Sequence, residues 1–432
     1  MNPDELAELL ATGWERFDVE FKSPGARTDK AYLGKVTRAV LAMSNRRDGG
    51  MVVLGVDERR SQKATLLGLT SVQLGTWKSD DARDALASYA EPSVEVDVHQ
   101  VTLDDKTAVI LQVREFADVP VLCRKDGVGL REGALYVRSR RKPESVEVPR
   151  QAEMREVIEL AMEKRLRSFL GTAAAAGLRP LSVQPIAAQA TSDETHYQQQ
   201  TDSLLKEASE KAKSRGYWQV CIHPLPFLSR RVKELLDLVG IMRATAVEYR
   251  GWPYPSVLAR NDVQLGKDWV EAQVDERIHV EQWRYYQSGH FAQVLGFWED
   301  WFEQDDFTRP EDHPRPKATL GVDYTVGTLT EIFEFASRLA LSAGGADTMV
   351  VRLGVYRLRG RCLTLPSTRI PFSAPRVAAI DSYQYDAVLI DRDVLLADPR
   401  TPAVAAAREL FQRFGWNASV ETLRGLQPPH MQ

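Results

Sequence analysis

Glu15-Arg-Phe-Asp-Val-Glu20-Phe-Lys22 alternates as a β-strand does. Side chains two residues apart share a face, so Phe17, Val19 and Phe21 point into a core while Asp18, Glu20 and Lys22 point away from it. A carboxylate and an ammonium therefore stand side by side on the polar face of a strand fit for burial. Glu15 precedes Glu20 by an odd spacing, on the wrong face of a continuous strand. It joins Glu20 only if the chain bends near Trp14–Arg16, which Gly13 permits. Two readings stand at this point: a half-buried strand with its charges in water, or one wall of a carboxylate site.

Working outward, Leu6, Leu9 and Leu10 line one side of a short helix over 3–12. After the strand, Ser23-Pro24-Gly25 is a turn, and Thr28 or Asp29 caps a helix over 30–45. Leu33, Val36, Val40 and Met43 give that helix a buried face. Arg46-Arg47-Asp48-Gly49-Gly50 is a tight polar turn. Met51–Val56 is a fully buried strand, with Asp57-Glu58 at its exit. If the two strands pair, that exit comes near the first strand. A helix over 79–90 and strands over 94–101 and 107–113 follow. An apolar stretch over 131–138 then runs into four cations: Arg138, Arg140, Arg141 and Lys142. Such a run is either a solvated face or a clamp for phosphates. Residues 151–170 read as a helix with Met154, Val157, Ile158, Ala161, Met162, Leu166 and Phe169 in one stripe, expected to pack.

The 432 residues exceed one ordinary core. Composition shifts at 171–200, where Ala173–Ala176 and Gln198–Gln200 flank a polar stretch read as a linker. Seven of the nine tryptophans follow it, and strands and helices are mixed there. Phe297-Trp-Glu-Asp-Trp-Phe302 gathers four aromatics on one helix face, as core or as contact surface. The expected architecture is α+β: a mixed domain over 1–165, a linker over 166–200, and a second, unrelated α/β domain over 201–432.

Composition narrows the function. A net charge of −4 does not point to nucleic acid, so any basic site is local. The three cysteines lie far apart and form no CxxC pair, which fits a reducing, cytoplasmic setting. The acidic N-terminus has no apolar signal core, and no apolar run is long enough to span a membrane. None of the seven histidines is paired at metal-ligand spacing. There is no phosphate-cradling glycine loop ending in Gly-Lys-Ser/Thr, and no Gly-x-Ser-x-Gly elbow. What remains is Glu15, Glu20 and Asp57 or Glu58 around one strand face. Carboxylates held close raise one another's pKa unless a cation sits among them, and magnesium or manganese suits such oxygen ligands. Lys22 is placed to contact a phosphate. In outline this is a nuclease site, in which neutralising Glu20 is expected to relieve repulsion and hardly alter stability.

Taken in order, these pieces resemble the Schlafen AlbA-type domain family. They are Glu-x4-Glu-Phe-Lys at 15–22, a helix running into Ser44-Asn45, Gly49-Gly50-Met-Val-Val-Leu-Gly-Val-Asp57-Glu58, and Leu67-Gly68-Leu69. Leu135-Tyr-Val-Arg138-Ser139 is similar to the family's Tyr-Ile-Arg-x-Gly-Ser segment. The family's helix usually ends Ala-Phe-Ala-Asn-Thr before Gly-Gly; here it ends Ala42-Met-Ser-Asn45, with Arg46-Arg47-Asp48 intervening. The resemblance covers about a third of the chain. It implies nucleic-acid binding and, in the Schlafen nucleases, cleavage of transfer RNA and related RNA with a metal held by three carboxylates. Glu15 and Glu20 match two of these, and Asp57, rather than Glu58, is expected as the third. It further implies an endoribonuclease acting in phage defence, its second half sensing a trigger or protein partner. The alternatives are a non-catalytic DNA-binding or regulatory protein with the same domain, and a pure interaction protein.

Overall fold

A computed structural model describes residues 6–7, 9–10, 18–57, 64–139, 144–176, 183–185, 192–208, 210–257, 263–275, 279–301, 318–365, 372 and 374–428. They form two compact units divided between Leu166 and Arg167.

The first unit is built on β1 (Val19–Lys22), α1 (Lys30–Ser44), β2 (Gly50–Leu54), β3 (Val96–Leu103) and β4 (Lys106–Val113). The sheet order is β1-β2-β4-β3. β1 and β2 are parallel, with Glu20 opposite Val52 and Lys22 opposite Leu54, and α1 makes the crossover between them. The strand alternation is what the sequence dictates. Val19, Phe21, Met51 and Val53 face Leu6, Leu9 and Leu10. Val52, Leu54, Val109 and Leu111 face Val36, Val40 and Met43 of α1. Glu20 and Lys22 therefore lie on the α1 side of the sheet.

Asp29 starts α1, its carboxylate accepting from the amides of Ala31 and Tyr32. Gly34 lets the helix approach the chain closely: a Cβ there would lie 2.0 Å from the Val128 carbonyl oxygen. At the other end, Asn45 is buried. Its amide donates to the carbonyls of Val121 and Tyr136, and its oxygen accepts from the Val121 amide. One side chain thus ties two later segments to the helix end. Beyond them, β5 (Tyr136–Arg138) and β6 (Ser145–Glu147) pair antiparallel, with Arg138 opposite Ser145.

Helix α2 (Gln151–Ala175) begins in the first unit and ends in the second. Val157 and Leu160 pack into the first unit's core. The stripe expected to pack does so only at Val157 and, partly, Ala161. Met154, Ile158, Met162, Leu166 and Phe169 are exposed, because the buried face is the one carrying Val157 and Leu160.

The second unit is an antiparallel sheet of eight strands. They are β7 (Val183–Pro185), β8 (Tyr217–Leu225), β9 (Gln264–Leu265), β10 (Trp269–Asp275), β11 (Val280–Tyr286), β12 (Phe291–Gly296), β13 (Thr348–Tyr356) and β14 (Ser382–Asp391). Their order is β9-β10-β11-β12-β8-β13-β14-β7. With them go α3 (Ser192–Glu207), α4 (Leu235–Thr245), α5 (Val322–Leu341) and α6 (Arg400–Gln412). Helix α5 is buried almost throughout, and Val326, Leu329, Ile332, Phe333 and Ala336 form the middle of the core. Its Glu334 is held by Arg167 and Arg338, which outweigh burial and lower its pKa.

The stretch read as a linker holds the end of α2, strand β7 and most of α3. Its alanines favour helix, and its glutamines ride on a helix whose Tyr197, Thr201 and Leu204 are buried. In the aromatic segment, Trp301 is buried against Ala208, Ala212, Val280 and Val294, so it is core. Among the described residues, no helix is long and apolar enough to cross a membrane.

Candidate nucleic-acid site

Glu20 is 5% exposed, in the wall of the first unit. A buried carboxylate persists only if paired and hydrogen-bonded. Lys22 Nζ lies 2.7 Å from its Oε1. Arg138 Nη1 donates to Oε2 at 2.5 Å, and the Ser145 hydroxyl donates to the same oxygen. Arg138 Nη2 also donates to the Val19 carbonyl at 3.0 Å. The antiparallel pairing of β5 and β6 is what brings Arg138 and Ser145 to Glu20 together.

This constellation forms one wall of an open pocket of about 610 Å³. Lys22, Arg38, Gly129, Arg131, Tyr136, Glu144 and Glu147 line the rest. Arg131 is engaged by Glu147, and its amide donates to the Tyr136 hydroxyl. Burial pushes the Tyr136 phenol up, against the pull of that amide. Arg38 differs from the other cations. It projects from α1 beside the β1 polar face, its Nε is buried, and that nitrogen has no hydrogen-bond partner. The buried Nε cannot reach an anion, but the guanidinium it belongs to lines the pocket, and a guanidinium so placed can take one.

The residues singled out from sequence fare differently. Glu20 and Lys22 meet as expected. Arg138, expected on a phosphate, is nearly fully buried and holds Glu20 instead, because its strand runs beneath the surface. Asp57 does not line the pocket. The amides of Gly55 and Val56 both donate to the Lys22 carbonyl, and the chain has passed the end of β1 by Asp57, whose amide bonds to Thr65. Glu15, Glu58, Arg140, Arg141 and Lys142 lie outside the described residues. Among the described residues, no three His, Cys, Asp or Glu side chains gather as a metal needs. Glu20's own oxygens already face cations, so these residues do not by themselves fit magnesium or manganese. Arg38 was missed because it reads as one polar position on an amphipathic helix. Ser145, lying past the cation run, gave no signal.

Residues 15–147 match the family model described as Schlafen, AlbA_2. The N-terminal third is thus similar to the Schlafen AlbA-type domain. No curated protein matches the chain. Among solved structures, the chain is similar to the DIP2311 protein from Corynebacterium diphtheriae at 14% identity and a TM-score of 0.24, over 48% of this chain and 35% of that one. It therefore spans about a third of that protein's length. It is also similar to the N-terminal domain of an ATP-dependent DNA helicase RecG-related protein from Nitrosomonas europaea. That match has 24% identity and a TM-score of 0.20, over 26% of this chain and 72% of that one.

Proposed function

We propose that the first unit binds nucleic acid with a backbone phosphate seated between Arg38 and Lys22. The observation that carries this reading is that Arg38 and Lys22 line one open pocket. Glu20 sets the geometry: it fixes Lys22 at the rim and consumes Arg138 in the wall. A phosphate contact of this kind adds affinity without sequence preference, and its strength falls with salt. RNA is favoured over DNA by the family resemblance alone.

The test is binding of a labelled single-stranded RNA and a DNA duplex by the full chain at several salt concentrations. Arg38→Ala should weaken binding about tenfold, the size of one charge-assisted hydrogen bond, and reduce the salt slope by about one phosphate contact. Unchanged affinity and slope would remove the phosphate from this pocket.

A second reading is metal-dependent cleavage of transfer RNA or similar RNA, in the setting of phage defence. What favours it is that Glu20 lines the same pocket as the phosphate-binding cations. It needs Glu15 and Asp57 or Glu58 to join Glu20 around magnesium or manganese, with Lys22 and Arg138 drawn off the carboxylate. The metal would supply an activated water and counter-charge for the phosphodiester. Incubation of the protein with transfer RNA, with manganese and then with EDTA, decides it: cleavage in neither leaves a binding protein.

A further inference from the structure

Tyr136 lines the same pocket as Arg38 and Lys22, yet it is only 4% exposed. A phenol hydroxyl has one proton to give and lone pairs with which to accept. Here the oxygen accepts from the Arg131 amide at 3.0 Å. Among the described residues, nothing accepts the proton. Glu147 stands opposite Tyr136 across the β5–β6 pair, but its carboxylate is turned to the Arg131 side chain. Burial, the largest influence on the phenol, pushes its pKa up, so the proton stays on at neutral pH. Arg38 and Glu147 are among the charges that reach this phenol, and both line the pocket. A nearly buried hydroxyl is thus held among pocket residues with its donor free for a ligand.

We propose that the Tyr136 hydroxyl donates to the phosphate seated by Arg38 and Lys22, fixing that phosphate from the β5 side. This rests on the phosphate reading of the pocket given above. Two features of the chain serve it. Tyr136 and Arg138 share one face of β5, so the strand that fixes Glu20 through Arg138 also fixes the phenol. The Arg131 amide occupies a lone pair of the hydroxyl and leaves the proton the directions away from it. A phosphate oxygen only accepts, which is what a free donor requires, and a hydrogen bond to an ionised acceptor is short and strong. The phenol also differs from its neighbours in what it displaces. Lysine and arginine release counterions from the nucleic acid and so tie affinity to salt; a neutral hydroxyl releases none.

The experiment measures binding of a labelled single-stranded RNA by the full chain at several salt concentrations. All variants are compared well below their melting temperatures, so that the acceptor lost to the Arg131 amide does not enter as unfolding. Tyr136→Phe keeps the ring and removes the donor. It should weaken binding about tenfold, the size of a hydrogen bond to a charged group, with the salt slope of the wild type. In an Arg38→Ala background the same change should weaken binding by less, because the two side chains hold one phosphate. If Arg38→Ala weakens binding while Tyr136→Phe binds like the wild type, the proposal is overturned and the phosphate stays with Arg38 and Lys22. If Tyr136→Phe flattens the salt slope, or costs its full factor without Arg38, it acts through the fold rather than on the phosphate, and the proposal is again overturned. If neither variant weakens binding, the pocket holds no phosphate, and the reading beneath the proposal falls with it.

Discussion

Arg138 and Glu20 are 118 residues apart in the sequence and 2.5 Å apart in the fold, with 2% and 7% of their side chains exposed. The pair reverses the expectation that neutralising Glu20 is harmless. Glu20→Gln leaves a buried guanidinium without its counter-charge, which costs about 3–5 kcal/mol. Urea unfolding of the full chain should show the first unit's transition shifted to lower denaturant. Glu20→Leu with Arg138→Met should regain part of the loss, since it leaves no buried guanidinium stranded while Lys22 still loses its partner. A midpoint unmoved by Glu20→Gln would mean the pair contributes nothing.

Arg140, Arg141 and Lys142 follow β5 in sequence. Arg140→Ala with Arg141→Ala should lower affinity equally for every RNA tested and flatten the salt dependence by about 0.7 per lost single-strand contact. Selective loss on one sequence would argue for base reading instead.

Trp301 belongs to the second unit's core, where Lys211 and Arg215 also stack on its ring. Trp301→Ala should cost about 3–5 kcal/mol, seen as a large fall in the second unit's melting temperature. A variant that melts like wild type would return this segment to the role of a contact surface.

His290 gives the second unit a dependence on pH. It sits in the turn from β11 to β12, facing Gln200, Thr201 and Tyr197 of α3 and His223 of β8. Burial first, and then Arg352, hold its pKa down at about 3. His223 is pushed down by burial and by His290, with Glu194 3.8 Å from its Nε2 and Glu194 itself paired with Arg352. In the unfolded chain both rings take a proton near pH 6.5. As pH falls below 6.5 the unfolded state therefore binds protons that the folded state refuses. Stability is fully present above 6.5 and declines below it, by up to about 1.4 kcal/mol per pH unit for each ring. Melting curves between pH 7.5 and 5 should show this slope. His290→Gln should flatten it even if the variant is less stable at every pH.

The first unit was largely legible because its code is local. The alternation of Val19, Glu20, Phe21 and Lys22 fixes which face each side chain takes, and Asp29 and Asn45 bracket a helix with a clear apolar side. The fate of Arg138 was not legible: whether a cation after a strand meets a phosphate or a buried glutamate depends on a partner 118 residues away. The second unit hid strand β7, whose three residues gain their hydrogen bonds only from β14. Charge pattern alone could not reveal Arg38 either, since its distinction is a pocket whose other walls come from residues about a hundred positions later.

The middle of the second unit's sheet has a bearing on synthesis. Strand β8 is flanked by β12 and β13, and Tyr217 pairs with Tyr356. Everything from α4 to α5 must leave the ribosome before that seam can close, and β7 waits longer still for Val388 to Ile390. All the described residues of the first unit have been made by Leu166. Contacts so distant in sequence form slowly, and domains fold as they emerge. A nascent chain therefore carries a folded first unit ahead of a sheet with β8 still open along one edge, and a message truncated before Thr348 would leave it in that state permanently.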